Sequence, residues 1–407
     1  MVRLMRIVIW LALLAPPFAL PAQKFYTYVG DTGANHAVIA WGTTQGRNTI
    51  GRSSPSRGKA VVKIAGRELT EEKRNWVTAS GLQPDTEYAY EVLIGGRPIG
   101  AAKLRTWPAK TDRLTFFVIG DFGNGSRAQY RVAEAMWKEF EKSRDPVRFV
   151  LTTGDNIYAH KILRFGSGDE DDEWDSRFFR PYEPLLARIP FYPAPGNHDG
   201  NESESRADLA AYLDNFFFPR ATPARYYHFS FADLAEFFAL DTSLNTMEGR
   251  PASGYGPDSA QIRWLAGQLG AAAAPWKIAC FHHPPFSAGP RHEPSLGGLS
   301  HIVGMLAGKG VRVAFNGHEH NFQFSEQNAS TQGIRFIVSG AGGELRDGDV
   351  RKNMARTHIE GWAPQHHFLR VEIRARRMRI WPLSWKPVAV LSRDGNRLAM
   401  PLEVTAP

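Results

Sequence analysis

Five apolar runs, each ending in a short polar motif, constrain the fold of this chain more than any other feature of its sequence. The runs have the length and composition of strands that are buried in a layered sheet. In chain order they are RLTFFVI before GDFG, RFVLTT before GDNIY, FYPAP before GNHD, WKIACF before HHPP, and VRVAFN before GHEH. Because buried strands of an α/β sheet end along one edge, where ligands bind, we expect the five motifs to meet at one site.

The motifs supply carboxylates, a phenol, an amide and imidazoles, which are the donor types that bind iron, manganese and zinc. A single aspartate or asparagine at a strand end is often only a turn residue or a helix cap. The two imidazoles of GHEH point the same way on an extended segment, whereas those of HHPP face opposite ways, which leaves the choice between them open. The joint pattern predicts a metal site. Its candidate residues are Asp121, Asp155, Tyr158, Asn197, His198, His282, His318 and His320.

A glycine precedes the polar residue in four of the five motifs, at Gly120, Gly154, Gly196 and Gly317. We expect each glycine to let the backbone turn sharply at a strand end. From Leu114 onward, strand-like runs alternate with helical segments, which predicts an α/β layered sandwich flanked by helices. Ser126 is predicted to cap a helix that reaches Lys142, and a second helix is predicted to begin near Asp258.

Residues 24–107 have a different pattern. Short β-branched and aromatic runs, such as HAVIAWG and TEYAYEVLIGG, are separated by turn residues at regular intervals. This pattern predicts a small all-β antiparallel sandwich domain over residues 24–107. The stretch TWPAKTD, residues 106–112, interrupts the pattern, so the second domain is predicted to span residues 112–392.

The chain has 407 residues, 43% of them hydrophobic and 22% charged, which is ordinary for a soluble protein of two domains. Its net charge of +8 is spread along the chain and does not identify a nucleic-acid binder. The densest basic run, residues 374–379, is interpreted as a half-buried strand in which Val371, Ile373 and Ala375 face the core. The single cysteine, Cys280, excludes an intrachain disulfide and is predicted to be a buried core residue.

Residues 1–22 predict a signal peptide and therefore export to the periplasm or the medium. Arg3 and Arg6 precede a short apolar run, and Pro16, Pro17 and Pro21 follow it before Ala22. The short run and the prolines disfavour the alternative, a membrane-spanning anchor. We therefore expect no membrane association once the signal is removed.

The five motifs, in this order, resemble those of the calcineurin-like metallophosphoesterases and, within them, the purple acid phosphatases. Phosphodiesterase relatives begin with Asp-x-His, whereas position 123 here is glycine and Tyr158 stands three residues after Asp155. That exchange of an imidazole for a phenol is typical of the purple enzymes. The N-terminal region, in turn, resembles the fibronectin type III sandwich that precedes the catalytic domain in some phosphatases.

The resemblance implies two metal ions. An Fe(III) site would use Asp121, Asp155, Tyr158 and His320. A second site, for Fe(II), Zn or Mn, would use Asp155, Asn197, His282 and His318, so that Asp155 bridges the two. His198 and His292 would be the catalytic pair that faces the substrate.

The implied activity is that of an acid phosphatase, which hydrolyses phosphate monoesters by in-line attack of a metal-bound hydroxide. His198 would stabilise the phosphoryl oxygens and His292 would protonate the leaving group. A phosphate ester is thus the expected partner, and nucleic acid is not, because the chain lacks an aromatic-basic groove motif.

Two other functions remain open. The same site would suit a metallophosphodiesterase or nucleotide phosphoesterase, and a comparison of mono- and diester hydrolysis separates these from a phosphatase. A noncatalytic exported adhesion module with structural metals is disfavoured, since structural metal sites rarely keep open positions. The acidic segment 168–175 is interpreted as a solvated surface loop, and the remaining histidines, His283 among them, as structural or surface residues.

Overall fold

The structure is a computed structural model, and it describes residues 24–44, 50–158, 171–200, 209–243 and 254–406. The predicted signal peptide, residues 1–22, lies outside the described residues. The strands of the described part form two small sheets near the N-terminus and two larger sheets in the remainder of the chain.

The two N-terminal sheets form an antiparallel sandwich. Its strands are β1 (Phe25–Thr32), β2 (His36–Thr43), β3 (Ala60–Ile64), β4 (Arg67–Glu71), β5 (Trp76–Ser80), β6 (Glu87–Ile94) and β7 (Arg97–Arg105). One sheet has the order β1-β2-β5 and the other the order β4-β3-β6-β7. In β3, the buried residues Ala60, Val62 and Ile64 alternate with exposed or half-buried ones, as expected for a strand with one face on a core. The predicted all-β sandwich is confirmed.

The two larger sheets stack on each other. Their strands are β8 (Arg113–Ile119), β9 (Val147–Thr152), β10 (Phe191–Pro193), β11 (Tyr227–Phe231), β12 (Ala235–Ala239), β13 (Trp276–Cys280), β14 (Val313–Asn316), β15 (Phe322–Ser325), β16 (Arg335–Ser339), β17 (Ile359–Ala363), β18 (Phe368–Arg374), β19 (Arg377–Leu383) and β20 (Leu402–Thr405). One sheet has the order β10-β9-β8-β18-β19-β20 and the other the order β11-β12-β13-β14-β16-β15-β17.

Aromatic side chains fill the space between these sheets. The ring of Phe116 on β8 lies 5.1 Å from that of Phe149 on β9, and 5.4 Å and 6.1 Å from Phe237 and Phe315 of the facing sheet. Strands such as β8 and β14 are covered on both faces, which explains why their sequences are continuous apolar runs.

Helices cover the outer faces of the stack. They are α1 (Arg127–Lys142), α2 (Asp171–Trp174), α3 (Arg180–Leu186), α4 (Ala210–Asn215), α5 (Ala260–Ala271), α6 (Leu296–Gly308) and α7 (Arg351–Met354), with a π-helical turn at Asp175–Phe179 and a 3₁₀ turn at Pro219–Ala221. The predicted α/β layered sandwich is therefore confirmed. None of the helices in these described stretches has both the length and the apolar character needed to cross a bilayer.

Both predicted helices are present, and the predicted cap at Ser126 is confirmed. The Ser126 hydroxyl accepts the N–H of Gln129 at the start of α1, and the Ser259 hydroxyl accepts the N–H of Ile262 at the start of α5. Val132 and Met136 of α1 are buried, as their helical spacing predicts.

The described part of the acidic segment is not a solvated loop, which corrects the prediction for residues 171–175. Glu173, Trp174 and Asp175 are buried in α2 and at the start of the π-helical turn. The Trp174 ring packs on Phe178 and Phe216, and the Asp175 carboxylate accepts a hydrogen bond from Tyr26 of the sandwich. These contacts bury the end of the acidic run in the core.

The basic run corrects a second prediction. It spans a hairpin, because β18 ends at Arg374 and β19 begins at Arg377, and Ala375 lies in the turn with φ of 49° instead of facing the core. Its side chains pair with acids, as in Arg374 with Asp145 and Arg379 with Glu403.

The six-stranded sheet also continues beyond residue 392, the predicted end of the second domain. Strand β20, Leu402–Thr405, pairs with β19 at the edge of this sheet. The predicted division of the chain into domains at residues 106–112 stays a prediction.

One face of the β1-β2-β5 sheet packs into the hydrophobic core of the larger sheets, whereas the space between the two sandwich sheets holds a separate apolar cluster. Tyr28 of β1 contacts Phe179 and Phe217, with ring centroids 5.4 Å and 5.6 Å apart. Trp107, between the two regions, donates its backbone N–H to Gly33 of the sandwich. Its ring lies 5.0 Å from that of Phe231 in the larger unit.

Candidate metal centre

The parallel strands end level with one another, which brings the motifs side by side. Ile119 pairs with Thr152, Thr152 with Pro193, and Cys280 with Phe315. In each strand, the loop that carries the motif begins within a residue or two of the paired residue named here. The first three motifs follow strands of the six-stranded sheet and the last two follow strands of the seven-stranded sheet. The motifs therefore meet between the ends of two stacked sheets, not along the edge of one sheet.

A first group of donors surrounds the Tyr158 hydroxyl. This hydroxyl lies 3.1 Å from Asp155 Oδ2, 3.4 Å from Asp121 Oδ1 and 3.2 Å from His320 Nε2. His320 Nε2 is in turn 3.3 Å from Asp121 Oδ1. All four side chains are buried, so their polar atoms converge on one enclosed point.

A second group of donors surrounds the Asn197 side-chain oxygen. Asn197 Oδ1 lies 2.9 Å from His282 Nε2 and 3.0 Å from His318 Nδ1, and these two nitrogens are 3.2 Å apart. Asp155 joins the groups, because its Oδ2 contacts Tyr158 while its Oδ1 is 3.4 Å from His282 Nε2.

The two histidines that the resemblance makes catalytic lie beside these groups. His198 is exposed; its backbone N–H donates to Asp155 Oδ1 at 2.8 Å, and its ring is 4.6 Å from that of Tyr158. His292 is half-buried, with its ring 3.9 Å from that of His318. All nine residues that the sequence analysis singled out as site residues are thus gathered in one place.

His283 also lies here, which corrects its interpretation as a structural or surface residue. Its ring is 4.4 Å from that of His318, and its Nδ1 is 3.0 Å from the Thr242 hydroxyl. With His282 and His318 it forms a possible three-imidazole group. Alternation along a strand left the choice between His282 and His283 open, and only the family resemblance selected His282. HHPP follows β13 in a loop, where alternation does not apply.

The backbone of the site is strained at the donors themselves. Asp121, Asp155 and His318 adopt positive φ values of 54°, 50° and 69°, a region that few residues other than glycine occupy. Of the four motif glycines, Gly154 alone has a positive φ, 96°. The expectation that each glycine makes the turn is therefore wrong for the other three.

Close approach explains those three glycines instead. A Cβ on Gly120 would lie 1.9 Å from the Thr153 hydroxyl oxygen, and a Cβ on Gly317 would lie 2.5 Å from Asp121 Oδ2. A Cβ on Gly196 would lie 2.3 Å from Asp155 Oδ1. A side chain at Gly196 or Gly317 would therefore displace a donor, and one at Gly120 would displace Thr153.

Backbone contacts orient the imidazoles. His282 Nδ1 donates to the Thr153 carbonyl oxygen at 2.9 Å, which turns Nε2 towards the donor group. The His318 backbone N–H donates to both carboxylate oxygens of Asp121, at 3.1 Å and 3.0 Å.

The electrostatics of the site call for a cation. Burial raises the pKa of the Tyr158 phenol well above its ordinary value, and the Asp155 and Asp121 carboxylates raise it further. Burial likewise raises the pKa of Asp121. Burial alone would lower the pKa of His282, but the nearby Asp155 carboxylate raises it to about 10. Buried anionic donors in mutual contact are stable only with positive charge between them, which two metal ions would supply. The residues present therefore fit a dinuclear centre.

A stacked pair of mixed sheets with hard and borderline metal donors at the strand ends defines the class of metal-dependent phosphoesterases. The chain belongs to the calcineurin-like phosphoesterases, whose family model matches residues 114–322, more than half of its length. Among its relatives is tartrate-resistant acid phosphatase type 5 of Mus musculus, which is 27% identical over 288 residues, 65% of this chain and 82% of the mouse protein.

Solved structures share the fold across both regions of the chain. The purple acid phosphatase PPD1 of yellow lupin superposes with a TM-score of 0.69 at 13% identity, covering 94% of this chain and 74% of the lupin chain. PhoD superposes with a TM-score of 0.65 at 15% identity, covering 95% of this chain and 94% of its own. The chain is thus a member of this family that is similar to the purple acid phosphatases.

Proposed function

We propose that this chain is a dinuclear-metal acid phosphatase that hydrolyses phosphate monoesters. The observation that carries the proposal is the pair of donor groups that share Asp155, with two further imidazoles beside them. The similarity to tartrate-resistant acid phosphatase supports the same reaction. The first ion would be held by Asp121, Asp155, Tyr158 and His320, and the second by Asp155, Asn197, His282 and His318.

The donors favour different ions at the two positions. The group around Tyr158 has two carboxylates and a phenol, and three anionic oxygens suit Fe(III). The group around Asn197 has two imidazoles, an amide and one carboxylate, which suit Fe(II), Zn or Mn. When bound, two such ions would lower the pKa of water and neutralise charge on the phosphate.

The chain's own residues would then direct the reaction. Water attacks phosphorus in line with the departing alcohol. His198 is exposed and lies beside Tyr158, where its ring can donate a hydrogen bond to a phosphoryl oxygen. His292, packed on His318, donates a proton to the leaving oxygen. No covalent intermediate is required.

The central test is metal content and substrate preference. The purified mature chain is assayed for bound metals and for hydrolysis of p-nitrophenyl phosphate and bis-p-nitrophenyl phosphate across acidic and neutral pH. We expect two metals per chain and faster monoester hydrolysis. Preferential cleavage of the diester would favour the phosphodiesterase alternative, and metal binding without hydrolysis of either ester would favour the noncatalytic one.

Replacement of Tyr158 by Phe tests the iron assignment. Loss of the phenolate removes the charge-transfer partner of Fe(III), so the visible colour should disappear while the melting temperature changes little, because the ring stays buried. The measurement is the visible spectrum and circular dichroism of Tyr158→Phe beside the wild-type protein. An unaltered visible spectrum would contradict the tyrosinate ligand.

We also propose that the chain is exported and that its signal is removed near Ala22, on the basis of residues 1–22 alone. N-terminal sequencing of the protein recovered from the periplasm or medium tests this. Recovery only from the cytoplasm, with Met1 retained, would contradict export.

A further inference from the structure

The GHEH segment and the strand that follows it present two chemically different faces. The even-numbered residues His318 and His320 point into the candidate metal centre. The odd-numbered residues Glu319, Asn321 and Gln323 contact the loop of residues 287–292, which carries His292. Residues 318–321 form consecutive bends, with the Glu319 N–H on the Gly317 carbonyl and the Asn321 N–H on the Glu319 carbonyl, before the strand begins at Phe322. This one stretch of backbone contacts both the donors and the loop.

Glu319 makes the contact closest to His292. Its side chain is fully buried, and its Oε2 accepts the backbone N–H of His292 at 2.7 Å and that of Arg291 at 3.3 Å. The other oxygen, Oε1, lies 4.0 Å from Nη1 of Arg346, which balances its charge. A carboxylate is costly to bury, so its position beneath two amides calls for an explanation.

Two amide side chains hold the preceding part of the loop. Asn321 Nδ2 and Gln323 Nε2 both donate to the Gly289 carbonyl, at 3.0 Å and 2.9 Å. Gln323 Oε1 accepts the N–H of Ala288 at 2.8 Å. The loop 287–292 has no helix or strand of its own, so these side chains supply hydrogen bonds that regular structure would otherwise provide.

We propose that Glu319 is a positioning residue that fixes the backbone of His292 and so aims its imidazole at the leaving group. The inference rests on the proposed function for its catalytic meaning. Hydrogen bonds from amides to a carboxylate are stronger than those to a neutral acceptor, which suits a contact that must hold a catalytic loop without secondary structure. The same segment carries His318, against which the His292 ring packs. One segment therefore positions both a metal donor and the proposed general acid, His292.

Amide hydrogen exchange tests the contact without reference to activity. In the wild-type protein the amides of residues 291 and 292 should exchange slowly, and Glu319→Ala should speed their exchange at least about tenfold, since protection depends on the hydrogen bond. Asn75→Ala is a matched control: it removes a buried side chain that bonds the backbone carbonyls of Ile50 and Gly51, in the sandwich. Unchanged exchange at 291 and 292 in Glu319→Ala would overturn the proposal.

Leaving-group dependence tests the catalytic meaning. A p-nitrophenolate ion departs without a proton, whereas the alkoxide of glycerol phosphate needs one. Glu319→Ala should therefore lower kcat for glycerol phosphate about 10²-fold, as expected for a misplaced acid, and change it little for p-nitrophenyl phosphate. Glu319→Gln, whose amide oxygen still accepts hydrogen bonds, should restore most of the loss. Metal content is measured for each variant, and loss of metal or equal slowing of both esters would overturn the proposal.

A double variant tests whether Glu319 acts through His292 or independently of it. If Glu319 acts through His292, then Glu319→Ala combined with His292→Ala should be no slower than His292→Ala alone. Additive losses would overturn the proposal. If the wild-type protein hydrolyses neither ester while Glu319→Ala still releases the two amides, the proposed function fails and the structural contact stands.

Discussion

At the scale of single residues, the candidate centre depends on glycines, which leave room for the donors, as much as on the donors themselves. Gly317 precedes His318 and lies directly against the donors of both groups. A Cβ there would lie 2.5 Å from Asp121 Oδ2 and 3.0 Å from His282 Nδ1. Neither side chain can retreat without moving the atom that it supplies to its donor group, Asp121 Oδ1 or His282 Nε2, so a single methyl group would disturb both metal positions.

Replacement of Gly317 by Ala should therefore reduce bound metal and lower kcat/KM by about 10²-fold or more, as for other displacements of about 1 Å near a reacting group. Metal analysis and steady-state kinetics measure the effect. Gly267→Ala is the matched control: it lies in α5 with no heavy atom within 4 Å of the added Cβ, and it should leave activity unchanged while stabilising the fold by about 0.5–1 kcal/mol. Full metal content in Gly317→Ala would contradict the steric argument.

At the scale of elements, the loop from Asp121 to α1 links the first motif to the outer layer of helices. The Ser126 hydroxyl accepts the N–H of Gln129 at 3.2 Å, and Asn124 Nδ2 donates to Glu344 Oε1 at 3.1 Å. The cap fixes where α1 begins and so fixes the length of the loop that leaves Asp121. Stability of the helix start is thereby coupled to the geometry of the first donor.

Replacement of Ser126 by Ala should lower the free energy of unfolding by about 1 kcal/mol, because one N–H at the start of α1 loses its acceptor. Urea unfolding followed by circular dichroism measures the difference. Ser126→Asp keeps an acceptor and adds a favourable charge at the helix N-terminus, so it should retain the wild-type stability. A loss as large in Ser126→Asp as in Ser126→Ala would contradict the capping role.

Much of the fold and of the site was predictable because it depends on local spacing. Alternating and continuous apolar runs predict the strands, and neighbouring residues predict the cap at Ser126 and the helix that begins near Asp258. What was missed depends on distant parts of the chain. The clearance at Gly120 involves Thr153, and the burial of Asp175 involves Tyr26. The contact between Glu319 and His292 joins residues 27 positions apart, so no short window of sequence reveals it.

At the scale of the whole molecule, the N-terminal sandwich packs directly against the larger sheets. Trp107 is buried, and its ring lies 5.9 Å from that of Phe149 and 6.1 Å from that of Tyr192. Its backbone pairs with the sandwich through Gly33 and Asp85. Because one face of the β1-β2-β5 sheet is buried in the core of the larger sheets, we predict that both regions unfold together.

Replacement of Trp107 by Ala should destabilise the protein by about 3–5 kcal/mol, since it leaves a large cavity among aromatic rings. Scanning calorimetry should show one transition in the wild-type protein and a lower melting temperature in the variant. Trp264→Ala, on the half-buried face of α5, is the control and should cost less. Two separate transitions in the wild-type protein would contradict the shared core.

The left-handed backbone at Asp121, Asp155 and His318 has a consequence for how this protein would respond to selection in the laboratory. Each such conformation costs about 1–2 kcal/mol in a residue with a Cβ, and glycine would relieve that cost. Selection for heat resistance alone would thus favour glycine at these three positions, because glycine lowers the backbone strain. Such variants would lose side chains that bind the metal ions. A screen for robust forms of the molecule must therefore score catalysis at every round.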